Sequence, residues 1–478
     1  MTTLPIHAPA TTLNRGASRR LLISGGRVVS PSGAFPADVL VDGETIAAVG
    51  APGTLTGDET IDATGKYVLP GGIDAHTHME MPFGGTHSVD TFATGTTAAA
   101  WGGTTTIIDF AVQAKGTSLL STLDKWHAKA DGNCAIDYGF HMIVSDVNDQ
   151  SLKEMEACID GGVGSFKMFM AYPGVFYSTD GEILLAMQKA REIGATIMMH
   201  AENGIAIDQL AAQAVAAGNT DPVQHGLTRP PELEGEATSR AIQLAKVTGS
   251  PLYIVHLSAS QALAAVAEAR NDGQNVFAET CPQYLYLSIE DLAKPDFEGA
   301  KYVASPPLRE KSHQADLWRG LRTNDLSVVS TDHCPFCFKD QKELGRGDFR
   351  AIPNGMPGVE HRMDLLHQGV VAGQLTLGRW VETCSATPAR MFGLYPKKGV
   401  IAAGSDADIV IYDPAARQTL SAATHHMNVD YSAYEGFEIT GRVHTVLSRG
   451  RVVVSPDGFT GSTSHGKYLS RSLNQYLN

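Results

Sequence analysis

Six cysteines among 478 residues are too few for a disulfide framework, so the fold rests on its core and suits a reducing cytoplasm. Positive charge is also short. With 37 Lys+Arg against 51 Asp+Glu the formal charge is −14, which argues against nucleic acid or an anionic membrane surface as partner and for a soluble enzyme with a small substrate. No apolar run approaches the roughly 20 residues that span a bilayer, and the N-terminus has no apolar signal core. Arg19-Arg20 leads only into Leu21-Leu22-Ile23 and reads as a strand start. Repeats are missing, and low complexity is confined to residues 1–18, a Thr-, Ala- and Pro-rich stretch expected to be a disordered leader.

Hydrophobic patterning divides the rest. Residues 19–68 carry short β-type segments between Gly-rich turns, for example Val39-Leu40-Val41, and residues 397–459 repeat that texture in Ile409-Val410-Ile411 and Val452-Val453-Val454. Both chain ends are therefore expected to build one small β-sandwich domain. Residues 69–396 alternate strand-like runs with helical patterns such as 181–192 and 260–270, which predicts parallel βα units. Eight candidate strands end near His78, Asp109, Val144, Lys167, His200, His256, Glu279 and Asp332. Eight units predict an α/β fold with a TIM-like (β/α)8 barrel, whose active site is built at the C-terminal ends of the strands. Residues 460–478 are left as a C-terminal tail available to a subunit interface.

Candidate ligands fall at those ends. His76 and His78, one residue apart, project the same way from one strand. His200, His256 and Asp332 each close a further apolar run. Imidazoles with a carboxylate suit zinc, and a site with open positions for water is catalytic. Lys167 lies in the apolar run Ser165-Phe166-Lys167-Met168-Phe169. Burial and nearby cations lower the pKa of such an amine, and a neutral amine can add carbon dioxide to give a carbamate bridging two metals; pairing with a carboxylate is the alternative.

Several longer motifs carry a resemblance. His76-Thr77-His78-Met79-Glu80-Met81-Pro82-Phe83-Gly84-Gly85, the segment from Lys167 to Tyr172, Ser305-Pro306-Pro307-Leu308-Arg309, Ser330-Thr331-Asp332-His333-Cys334-Pro335-Phe336 and 352–360 resemble dihydropyrimidinases and D-hydantoinases of the amidohydrolase superfamily. The resemblance implies two Zn2+ per subunit, with His76, His78 and Asp332 on one, His200 and His256 on the other, and N6-carboxylated Lys167 as the bridge. It implies hydrolysis of the ring amide of 5,6-dihydropyrimidines and 5-monosubstituted hydantoins to N-carbamoyl amino acids. Asp332 would carry the proton, Tyr172 would stabilise the oxyanion, and Ser305 and Asn354 would hold the ring through backbone groups. A cytoplasmic homotetramer is the implied assembly.

Met79, Met81, Phe83 and Phe169 are expected near the substrate's substituent. Cys334-Pro335-Phe336-Cys337 lacks a second CxxC and is read as incidental. His87, His333 and His361 have no partner by spacing, and Glu279 reads as structural. Dihydroorotase would carry an arginine after the HxH pair, where Met79-Glu80 stand. Allantoinase shares much of the ligand set and stays open as an alternative. A non-catalytic scaffold of the same fold would lack the ligands that are present here.

Overall fold

A computed structural model describes residues 19–476; the expected leader and the last two residues of the tail lie outside that range. Its centre is a parallel sheet of eight strands in chain order: Gly72–Thr77, Thr104–Val112, Asp137–Ile143, Ser165–Phe169, Thr196–His200, Leu252–Ile254, Val276–Thr280 and Val328–Val329. These strands are buried almost throughout, as expected of a parallel sheet covered by helices. Beyond the short last strand, the His78 N–H donates to His333 O at 2.8 Å and joins the two ends of the sheet into a nearly closed barrel.

The helices lie where the periodicity put them. One runs Asp180–Ile193, buries Ile183, Ala186, Met187 and Ala190 at spacings of three and four, starts in a Thr179/Glu182 capping box and stops at Gly194 with φ 74°. Another runs Ser260–Asn271.

Strands from both chain ends share a second architecture. Tyr67–Pro70 pairs with Ile409–Thr419 in a seven-stranded sheet. A four-stranded sheet containing Arg20–Ser24 and Asp38–Asp42 meets it across Ile23, Val39, Val41, Val68, Ile411 and Leu447. The tail crosses the barrel floor of its own chain, with Leu469 N donating to Tyr138 O at 2.8 Å and buried Arg471 reaching Ser165 Oγ at 3.1 Å. Among the described residues no helix is long and apolar enough to cross a membrane.

Candidate metal centre and active site

The barrel places the candidate ligands at or just past the strand ends. His76 is in the first strand and His200 ends the fifth, whereas His256 and Asp332 lie two and three residues beyond theirs. Both of these sit in the left-handed region themselves, with φ 39° at His256 and 53° at Asp332. Such backbone is unfavourable for residues with a Cβ, and surrounding contacts have to hold it.

His76 Nε2 lies 3.0 Å and His78 Nε2 3.2 Å from Asp332 Oδ1, and the two ring nitrogens are 3.2 Å apart. Tetrahedral bonds of about 2.0–2.1 Å would set donors roughly 3.3 Å apart, so the cluster has the dimensions of a metal site. The three ligand atoms lie within 4.8 Å of one another. The charge states differ within the cluster. Burial and Lys167 oppose a charged His76, but Asp332 and Glu279 outweigh them and raise its pKa. Burial dominates at His78 and holds it down to about 3. Burial also opposes an ionised Asp332, yet His76 and His78 keep its carboxyl well below the ordinary range.

Lys167 is fully buried, with Nζ 2.9 Å from His76 Nε2 and 4.4 and 5.0 Å from the rings of Phe110 and Phe169. No carboxylate forms an ion pair with it among the described residues. Burial lowers its pKa to about 8. His200 and His256 meet edge to face, ring centres 4.5 Å apart. Glu202 Oε2 holds His200 Nε2 at 2.7 Å, which leaves Nδ1 for another use, and His256 Nδ1 is buried without a partner among the described residues.

A narrow chamber joins these groups to the remaining candidates. His78, Lys167, His200, His256 and Asp332 line it together with Tyr172, Ser305 and Asn354. Asn354 Nδ2 donates to Ser305 Oγ at 3.1 Å and reaches Tyr172 OH at 3.5 Å. Tyr172 has φ 60°, and burial pushes its phenol up to about 12, so it remains a donor. Met81, Phe83 and Phe169 also line the chamber, but Met79 is packed in the core against the helix at Gly95. Cys334 and Cys337 are free thiols, Cys334 in the chamber wall.

Three supporting residues escaped the sequence reading. Glu279 receives the His76 Nδ1 contact, the Tyr253 hydroxyl at 2.9 Å, Ser330 Oγ at 2.5 Å and the His256 N–H at 3.2 Å. With its Nδ1–H on that carboxylate, His76 turns the Nε2 lone pair to the cluster, as metal-binding histidines do. Glu202 serves His200 in the same way, and His200-Ala201-Glu202 was a local signal for it. His333 does have a partner, contrary to its reading by spacing. Its Nδ1 accepts the Gly358 N–H at 3.1 Å, which leaves Nε2–H to bond Asp90 Oδ2 at 2.9 Å beside Asp332.

A parallel barrel that gathers imidazoles and a carboxylate at its C-terminal rim is the architecture of a metal-dependent hydrolase. The comparisons agree. The amidohydrolase family model matches residues 67–453. A D-hydantoinase of Streptomyces coelicolor is 66% identical over 465 residues, covering 96% of this chain and 100% of that protein. A solved dihydropyrimidinase from Brevibacillus agri has a TM-score of 0.94 at 52% identity, covering 95% of this chain and 99% of that one. For an L-hydantoinase (dihydropyrimidinase) from Arthrobacter aurescens the values are 0.86 and 30%, over 95% and 100%. The chain belongs to the amidohydrolase family, and it is a hydrolase.

Proposed function

We propose that the chain opens the ring amide of 5,6-dihydropyrimidines and 5-monosubstituted hydantoins, releasing N-carbamoyl amino acids. The observation that carries this is one chamber in which the strand-end donors face Tyr172, Ser305 and Asn354. The relatives' names support the substrate class.

The donor set fits two zinc ions. His76, His78 and Asp332 would hold one, His200 and His256 the other, and Lys167, carboxylated on Nζ, would bridge them. The lysine's burial, its lack of a carboxylate ion pair among the described residues and its lowered pKa support the carbamate. When bound, such a pair lowers the pKa of water toward about 7 and polarises a carbonyl oxygen.

The chain's own groups do the rest. The Asp332 carboxylate accepts a proton from the water that adds to the ring carbonyl and delivers it to the leaving ring nitrogen as the C–N bond breaks. The Tyr172 O–H donates to the oxygen that gains charge, an interaction that strengthens only as the charge develops. Ser305 and Asn354 hold the ring's imide and ureido edges. Met81, Phe83 and Phe169 meet the 5-substituent. The division into sandwich, barrel and tail and the homotetramer belong to the same proposal; light scattering on the full chain tests the assembly.

The test is turnover by zinc-replete protein, prepared with bicarbonate, on dihydrouracil, 5-substituted hydantoins, allantoin and dihydroorotate. Opening of the first two, lost in Asp332→Ala, is expected. Activity confined to allantoin or dihydroorotate would overturn the substrate assignment.

A further inference from the structure

Lys342 is fully buried, and its charge has no carboxylate partner among the described residues. It begins a short 3-10 turn, Lys342–Gly345, beyond the strand that leads to Asp332. An ammonium is expensive to bury unless its N–H groups are satisfied. Here three acceptors satisfy it, all of them backbone carbonyls: Val303 O at 2.8 Å, Pro353 O at 2.6 Å and Gly355 O at 2.8 Å. The ammonium has three donors, and all three are used.

The position of those carbonyls in the chain gives the arrangement its meaning. Val303 precedes Ser305 by two residues, and Pro353 and Gly355 flank Asn354. One nitrogen therefore joins two loops distant in sequence, each next to a residue that faces the chamber. The loops also touch directly, through Gly355 N–H to Val303 O at 3.0 Å and Asn354 Nδ2 to Ser305 Oγ at 3.1 Å. Gly355, at φ 152°, runs so close to the Asp332 segment that a Cβ there would stand 2.1 Å from Cys334 O. Gly355 therefore has no room to move toward that segment.

We propose that Lys342 is a positioning residue: its three hydrogen bonds fix the spacing between the Ser305 and Asn354 loops at the value that accepts the two polar edges of the ring. It does not touch substrate or metal. The inference rests on the assignment of those loops to ring binding made above. Misplacing two ring-binding loops weakens binding of the ground state along with the transition state, so KM should carry the effect.

The experiment uses the full-length, zinc-loaded enzyme with Lys342→Met, which removes every donor, and Lys342→Gln, which offers two from a side chain one bond shorter. Zinc content, the thermal transition, kcat and KM for dihydrouracil and one 5-substituted hydantoin are measured for each. The expected result is full zinc content, kcat within about threefold and KM raised at least about tenfold in Lys342→Met, with Lys342→Gln between it and the parent. Unchanged KM at full zinc content would overturn the inference alone. A parent enzyme that opens neither ring would overturn the functional reading and this one with it. If neither variant folds, hydrogen exchange on the parent decides. Peptides covering 300–306 and 352–357 should exchange together and slow together on saturation with N-carbamoyl-β-alanine; independent exchange of the two loops overturns the clamp.

Discussion

Glu279→Gln tests whether the metal cluster is oriented from behind. The native carboxylate gathers four donors, from His76, Tyr253, Ser330 and the His256 backbone. Glutamine has nearly the same shape but one acceptor oxygen and no charge. If that oxygen stays with His76 and His256, the new amide group faces Tyr253 and Ser330, whose hydroxyls can turn to accept. The His76 tautomer is then kept, and what is lost is the charge on its partner. A hydrogen bond to a charged group contributes about 1.5–3 kcal/mol and a neutral one about 0.5–1.5, so the loss is about 1–2 kcal/mol. That is roughly 5- to 30-fold in zinc affinity, in line with the 10–100-fold common for such partners. The assay is equilibrium zinc competition against a chelator at fixed pH, with metal content read by mass spectrometry. The weaker affinity should appear in the metal that His76 and His78 are proposed to hold. Zinc affinity within twofold of the parent, in a folded variant, would refute the reasoning.

Tyr172→Phe removes the half-buried phenol that stays protonated up to about 12. It should lower kcat by about 10²–10³ with zinc content unchanged, and an unaltered kcat would remove Tyr172 from the oxyanion role. Lys167 must be neutral to add carbon dioxide, and its pKa of about 8 makes that pH-dependent. About half is neutral at pH 8 and about 1% at pH 6, so carbamate formation on the metal-free protein at fixed dissolved carbon dioxide should be about 50-fold slower at pH 6. Carbon-13 NMR of the carbamate checks it, and equal rates would refute it. Asp364, away from the centre, is pushed up to about 7 by burial. Because its folded pKa lies above the unfolded one, stability falls as pH rises from about 4 to 7, by up to about 4 kcal/mol. Asp364→Asn should therefore gain more denaturant resistance at pH 8 than at pH 5, and an equal gain at both would refute the assignment.

What could be read from the chain followed from where a barrel puts its ligands. An apolar run ending in His or Asp marks a strand and the rim at which it stops, so His76, His78, His200, His256 and Asp332 could each be picked out as candidates. The strand limits were less so. The second strand continues to Val112, past Asp109, whose carboxylate faces Thr77 Oγ1 and Trp126 Nε1. His256 and Asp332 stand beyond their strands because the backbone turns over at those residues, and no side-chain pattern reports φ. The supporting contacts were hidden for a different reason. Glu279 is 203 residues from His76, His333 is 243 from Asp90, and Lys342 bonds bare carbonyls, which have no sequence signature.

Enantiomer preference belongs to the part that stays hidden. Relatives named for D- and L-hydantoins share this fold, with TM-scores of 0.94 for a D-hydantoinase and 0.86 for the L-hydantoinase from Arthrobacter aurescens. The fold by itself therefore does not choose a hand. On the proposed function the choice falls to the wall that would meet the 5-substituent. In this chain Phe176 stacks on Phe169 at 5.0 Å and lies nearly parallel to Phe83 at 6.2 Å, which ties the loop after the first strand to the loop after the fourth. The sequence supplies these three rings, but their stacking depends on how two loops meet, which no pattern along the chain reports.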